Sequence, residues 1–193
     1  MSLVGAMLAG GKSTRMGSPK VGLRLPSGKL MGRHNLQLLE QLTDHQVVLG
    51  WPNELLKPPD IHLLDDQHKN AGPLAGITSL LSSGLGTRYL IIPCDMPLLS
   101  VELLGLLVSA RANAVSFEAP HDQFHPLPMV LDANVRQIAE HCLRSSERSL
   151  RGFLMRSNVD TLPISQEQSK QLQSFNTPGE FQSLSETMRS APE

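Results

Sequence analysis

Aromatic side chains are scarce in this chain: five Phe, one Tyr and one Trp make up 4% of 193 residues. That leaves no stacking platform for single-stranded nucleic acid, which needs successive aromatic faces. Neither sign of charge dominates. Seventeen Lys and Arg meet 18 Asp and Glu, for a net charge of −1, and the cations are scattered rather than striped. No nucleic-acid partner is therefore expected. The two cysteines, Cys94 and Cys142, lie far apart without C-x-x-C spacing, which excludes a zinc site and a disulfide framework. A reduced, cytoplasmic setting is expected. No apolar run approaches the roughly 20 residues that span a bilayer, so no membrane partner is expected. The chain start has no basic segment, so its short apolar run reads as a strand rather than a signal peptide.

What is present is the pattern of an α/β protein. The apolar share is 40%, and 193 residues suffice for one domain with a real core, 1–193, with a polar tail at 183–193 that invites fraying. Short apolar strands are expected at Leu3–Leu8, Gln46–Gly50, Ile61–Leu64, Tyr89–Ile92, Ala114–Phe117 and Leu127–Leu131. Helical spacing marks Leu36–Leu42, Leu74–Leu81, Val101–Ala110 with Ser100 as cap, Val135–Leu143 and Leu150–Met155. The order β-α-β-β-α-β-α-β-β-α implies a mostly parallel sheet with helices on both faces. Ligands of such sheets lie beyond the strands' carboxyl ends. Three polar segments occupy those ends: 8–20, 65–66 and 94–95.

The first of these carries the most chemistry. Leu8-Ala9-Gly10-Gly11-Lys12-Ser13-Thr14-Arg15-Met16-Gly17-Ser18-Pro19-Lys20 follows a strand directly. Glycines without a Cβ let backbone N–H groups press against an anion, and Arg15 and Lys20 add full positive charge. A phosphate ester, a nucleotide above all, is the ligand class this design suits. It is not a P-loop, because Ala6 stands where that motif needs glycine, and G-x-G-x-x-G is absent. A Gly-rich βα turn with incidental cations is the competing reading.

Asp95 stands just past a buried strand in Pro93-Cys94-Asp95-Met96-Pro97, where flanking prolines restrict the backbone. A rigid carboxylate facing a phosphate cradle suits Mg²⁺, which takes one or two carboxylates plus substrate phosphates. An Asx turn is the plainer alternative. Asp65 ends another strand and could meet base, ribose or metal; Asp66 is equally available by chemistry. Gly72 and Gly76 bracket a helix start where backbone could approach a ligand. Arg148 and Arg151 could receive an anionic second substrate or simply be solvated.

Taken together, these segments resemble the molybdenum cofactor guanylyltransferases, within the Gly-rich-loop nucleotidyltransferases. Leu8 to Gly17 followed by Lys20 is similar to that family's L-A-G-G-x-S-x-R-M-G signature and lysine. Gly72-Pro73-Leu74-Ala75-Gly76, Pro93-Cys94-Asp95-Met96-Pro97 and Asn176-Thr177-Pro178 resemble its G-P-L-A-G, P-C-D-x-P and N-T-P segments, in family order. The resemblance implies a Rossmann-like three-layer α/β/α domain that moves GMP from GTP to molybdenum-bound molybdopterin and releases pyrophosphate. It implies that Leu8, Ala9, Gly10, Gly11, Lys20, Asp65, Gly72 and Asp95 bind the nucleotide and that Asp95 holds Mg²⁺. Arg15, Lys20 and Asp95 would carry catalysis, and Arg148 and Asn176 would approach the pterin. Contact with molybdenum-cofactor delivery proteins follows from the same resemblance. Two rivals stay open: a transferase using CTP or a sugar phosphate, and a nucleotide-binding module without turnover.

Overall fold

The computed structural model describes residues 2–10, 18–52, 55, 61–64, 72–145 and 148–190. Strand β1 (Leu3–Leu8) opens the chain. Helix α1 (Met31–Glu40), β2 (His45–Leu49), β3 (His62–Leu64), α2 (Pro73–Ser82) and β4 (Arg88–Pro93) follow. Then come α3 (Val101–Ser109), β5 (Ala114–Ala119), β6 (Gln123–Asp132), α4 (Arg136–Arg144) and α5 (Leu150–Arg156). The last elements are β7 (Asp160–Pro163), the single turn α6 (Gln166–Ser169) and α7 (Pro178–Ser190).

The strands form one sheet in the order β3-β2-β1-β4-β6-β5-β7. Within this sheet the described strands pair in parallel except for β6, which runs antiparallel to both β4 and β5. The expected mostly parallel sheet is present, with this one reversed strand as its exception. From β1 the chain builds outward to β2 and β3, then returns to place β4 on the other side of β1. That change of direction leaves a crevice at the carboxyl ends of β1 and β4, where open α/β sheets bind ligands.

Period-two alternation splits the core into two layers. On β4, Leu90 and Ile92 face α1 and α3, in a layer with Met7, Leu39, Leu103 and Leu107. Tyr89 and Ile91 face the opposite way, toward α2, α4 and α5, with Ala6, Ile77, Ala139 and Phe153. Burying each large side chain of this kind stabilises the fold by about 1.5–3 kcal/mol. A third, smaller cluster of Leu25, Met31, Phe175 and Leu184 ties α7 to the start of α1.

The structure departs from the sequence reading at several places. β6 starts at Gln123 rather than Leu127 and carries Pro126 and Pro128 inside it. The ladder with β5 shifts register between Ser116 and Phe117, where an irregularity absorbs those prolines. β7 and α6 have no counterpart among the expected elements. The tail expected to fray from Ser183 is helical through Ser190, with Leu184 1% exposed in the third cluster. Among the described residues no helix is long and apolar enough to cross a membrane.

Candidate active site

Three segments far apart in sequence deliver side chains to one point. Lys20 begins a one-turn 3₁₀ helix, Lys20–Gly22, set by Pro19 in extended conformation. The turn closes through Gly22 N–H to the Pro19 carbonyl at 3.1 Å and Leu23 N–H to the Lys20 carbonyl at 3.0 Å. Val21 anchors it, 2% exposed. A Cβ on Gly32 of α1 would lie 3.1 Å from both the Cβ and the carbonyl oxygen of Val21, so the glycine lets α1 pack close beneath Lys20.

Asp95 follows β4, and Cys94 N–H donates to the Leu8 carbonyl at 3.0 Å, so the ends of β4 and β1 are joined just before it. The neighbouring Cys94 thiol is pushed up to about 12, chiefly by burial and next by the charge of Asp95. It is therefore a neutral packing group and not a nucleophile.

Asn176 arrives from the start of α7. Phe175, 3% exposed, is seated in the third cluster, and its N–H donates to the Asp95 carbonyl at 3.1 Å. The Glu180 carboxylate accepts from Asn176 N–H at 2.6 Å and Thr177 N–H at 3.2 Å. Glu180 N–H donates back to the Thr177 hydroxyl at 3.3 Å. This is a reciprocal cap of the kind that satisfies orphan donors at a helix start, and it holds Asn176 in place.

At the meeting point, Lys20 Nζ lies 2.7 Å from Asp95 Oδ2 and 2.6 Å from Asn176 Oδ1. The Lys20 and Asp95 side chains are 15% and 19% exposed, sheltered yet reachable. An ammonium has three donors; two are used here, so one proton can reach a substrate oxygen. Asn176 also donates from Nδ2 to the Ser174 hydroxyl at 3.1 Å. Asp95 Oδ1 has no protein partner among the described residues.

The other expected residues fall in several places. Leu8 ends β1, and Ala9 N–H donates to the Leu49 carbonyl at 2.8 Å, tying the strand end to β2. Gly10 packs against Gly50, whose φ is +72°. Gly72 caps α2 with φ +77°, and no atom of the described residues stands within 4 Å of where its Cβ would be; that backbone conformation suits glycine. Gly11, Arg15, Asp65 and Asp66 lie outside the described residues. Arg148 sits ahead of α5, on the layer opposite α1, and no described contact links it to Lys20, Asp95 or Asn176. Its neighbours Ser149, Arg151, Gly152, Met155 and Arg156 line an open cavity of about 470 Å³. The Arg151 guanidinium lies 5.3 Å from the centre of the Phe124 ring there, within cation–π range.

Sequence reasoning misses Asn35, His34 and Gly50 as parts of this region. Asn35 carries a signal: it stands four residues after Met31 and four before Leu39 on the buried stripe of α1. It is a polar residue where the pattern calls for an apolar one. Gly50 carries none beyond closing a strand.

The chain matches the family described as MobA-like NTP transferase domain over residues 5–161. It is 32% identical, over 184 residues, to a protein from Xanthomonas euvesicatoria pv. vesicatoria (strain 85-10) named molybdenum cofactor guanylyltransferase; the match covers 93% of each chain. Among solved structures it resembles molybdopterin-guanine dinucleotide biosynthesis protein A from Archaeoglobus fulgidus, with a TM-score of 0.80, 22% identity, and 97% and 100% of the two chains covered. It also resembles 2-C-methyl-D-erythritol 4-phosphate cytidylyltransferase from Thermus thermophilus, with a TM-score of 0.71, 15% identity, and 98% and 100% covered. Both structural likenesses concern the fold.

Proposed function

This chain belongs to the MobA-like NTP transferase family and is a nucleotidyltransferase, and we propose that it transfers GMP from GTP to the terminal phosphate of molybdenum-bound molybdopterin, releasing pyrophosphate. The observation that carries this reading is the convergence of Lys20, Asp95 and Asn176 within 2.7 Å at the crevice beside β1 and β4. A lysine held between a carboxylate and an amide is preorganised to receive a polyphosphate. The relative from Xanthomonas supports guanine as the base and the molybdenum cofactor as the product's chemical class.

The chemistry asks little of the protein beyond placement. The acceptor phosphate is already a nucleophile near neutral pH and must be aligned with the α-phosphorus opposite the departing pyrophosphate. One phosphorus–oxygen bond forms at that phosphorus as the bond to pyrophosphate breaks, so the direct displacement needs no nucleotidyl-enzyme intermediate and no thiolate. Lys20 neutralises the charge that develops on the leaving pyrophosphate, and Arg15 is assigned the same task. Leu8 and Ala9 are assigned to the nucleotide site as the strand end that sets it, and the backbone N–H groups of Gly10 and Gly11 are assigned to the phosphates. Asp65 and Gly72 are assigned to the nucleoside side. Arg148, beside the cavity at α5, is assigned to the pterin substrate with Asn176.

Among the described residues no group of three His, Cys, Asp or Glu could hold a metal ion. Mg²⁺ needs no such group when substrate phosphates complete its coordination. Asp95, with one carboxylate oxygen on Lys20 and the other unpartnered by described residues, fits that role. Bound there, Mg²⁺ would supply Lewis-acid polarisation of the phosphates and a template for their alignment.

The test is pyrophosphate release with each ribonucleoside triphosphate in turn, with and without molybdenum-bound molybdopterin. Release that requires both GTP and the pterin supports the reading. Release with CTP or a sugar phosphate in their place would move the chain to a rival transferase.

A further inference from the structure

The backbone on both sides of Asp95 is gripped from several directions. Asn35 on α1 is fully buried, and its Nδ2 donates to the carbonyls of both Pro93 and Cys94, each at 3.1 Å. Phe175 N–H donates to the carbonyl of Asp95 itself at 3.1 Å. His34, beside Asn35, meets the Pro97 carbonyl through Nε2 at 3.0 Å. Burial holds His34 below the usual histidine range, so a neutral imidazole donates its single ring proton there. Two consecutive α1 side chains thus hold the two ends of the segment whose middle is Asp95.

Asn35 is a poor choice if packing were its whole task. Its Oδ1 is buried and has no hydrogen-bond partner among the described residues, a destabilising feature that a leucine would avoid. Met31 and Leu39 flank it on the same stripe of α1 and are fully buried. What the amide supplies and no hydrocarbon can is a pair of donors for two successive carbonyls. The segment is short of ties of its own, because Pro93 and Pro97 have no N–H.

We propose that Asn35 is a positioning residue for Asp95: its two hydrogen bonds fix the turn after β4 and so aim the carboxylate into the phosphate crevice. The residue touches neither nucleotide nor metal and acts through the backbone of Asp95. The proposal rests on the reading of Asp95 as the metal-binding carboxylate.

Four variants of the full chain test it. Asn35→Ala removes both donors, and Asn35→Ser keeps a short single donor. Leu39→Ala opens a cavity on the same helix, where Leu39 packs over Gly5 in the first half of β1, short of its carboxyl end. Asp95→Asn removes the charge itself. Each is measured for Mn²⁺ affinity by electron paramagnetic resonance with a non-hydrolysable GTP analogue, for kcat and KM, and for Tm. Asn35→Ala is expected to weaken Mn²⁺ binding and kcat by about 10–100-fold while KM for GTP stays within about twofold. Asn35→Ser should fall between it and the wild type. Leu39→Ala should lower Tm as much yet keep Mn²⁺ affinity and kcat.

Wild-type Mn²⁺ affinity and kcat in folded Asn35→Ala would overturn the proposal. So would the same losses in Leu39→Ala, or failure of both Asn35 variants to fold, since either would assign Asn35 to stability alone. Wild-type Mn²⁺ affinity in Asp95→Asn would instead overturn the metal reading. Loss there with no change in Asn35→Ala would remove the positioning role and leave that reading standing.

Discussion

Replacing Gly50 with alanine tests whether the turn after β2 braces the turn after β1. Gly50 has φ +72°, a left-handed conformation that costs a residue with a Cβ about 1–2 kcal/mol. The added Cβ would lie 2.7 Å from Gly10 Cα and 2.9 Å from Gly10 N. The first distance is about 0.7 Å inside ordinary contact between carbon atoms. Both opposing atoms are backbone, so no side chain can rotate aside and one strand end must retreat. The retreat stretches the 2.8 Å hydrogen bond from Ala9 N–H to the Leu49 carbonyl. Strain and the weakened bond together remove about 2 kcal/mol, which lowers Tm by about 4–8 °C in a domain of this length. Displacing the start of a phosphate cradle by such a distance should cost on the order of 10²-fold in turnover. The assay pairs thermal unfolding with kcat/KM for GTP, measured well below the variant's Tm. Wild-type kcat/KM alongside a lowered Tm would refute the brace, and an unchanged Tm would refute the close contact itself.

Asp95→Asn keeps the shape and an oxygen that can accept from Lys20. It should cost only about 1–2 kcal/mol of stability while cutting Mg²⁺-dependent pyrophosphate release by about 100-fold or more; melting curves and a pyrophosphate assay check both halves. Gly10→Ala places a Cβ 3.4 Å from Gly50 Cα, which the turn accommodates. Its Tm should stay near wild type while the kcat/KM preference for GTP over CTP erodes by about 1–3 kcal/mol; an unchanged ratio would show that Gly10 does not select the base. Cys94, buried and with its thiol pushed up to about 12, should resist alkylation at pH 8, so native activity survives iodoacetamide. A raised folded-state value contributes stability that is intact below the unfolded thiol's ordinary value and lost above it. Denaturant melts should therefore show a decline as pH climbs from about 9 toward 12.

The elements whose chemistry is local are legible in the sequence. The unbroken apolar run Tyr89-Leu90-Ile91-Ile92 marks a strand buried on both faces, and Ser100 is readable as a cap; its hydroxyl accepts from Leu103 N–H at 3.1 Å. The motif order also brings Lys20, Asp95 and Asn176 into view as separate candidates. Their contact is not legible, because it depends on Phe175 docking against Leu25 and Met31, a tertiary event with no periodic trace. β6 reads short in the sequence because Pro126, two residues before Pro128, lacks the N–H of a regular ladder and looks like a strand boundary. The structure tolerates them where the register with β5 breaks. β7 escapes because Asp160-Thr161-Leu162-Pro163 is too short and too polar at its ends to stand out; its pairing with β5 makes it a strand. Asn35 escapes for the opposite reason, as one polar residue inside a helix whose apolar stripe is strong enough without it.

The most direct test of the account follows the fate of the nucleotide's phosphates. GTP labelled at the α-phosphate is incubated with the protein, Mg²⁺ and molybdenum-bound molybdopterin, in parallel with GTP labelled at the γ-phosphate, and the pterin product is isolated. Guanylyl transfer predicts label in the pterin product from the α position alone, with the γ label recovered in pyrophosphate. Label in the pterin from the γ position, or none from either, would contradict it.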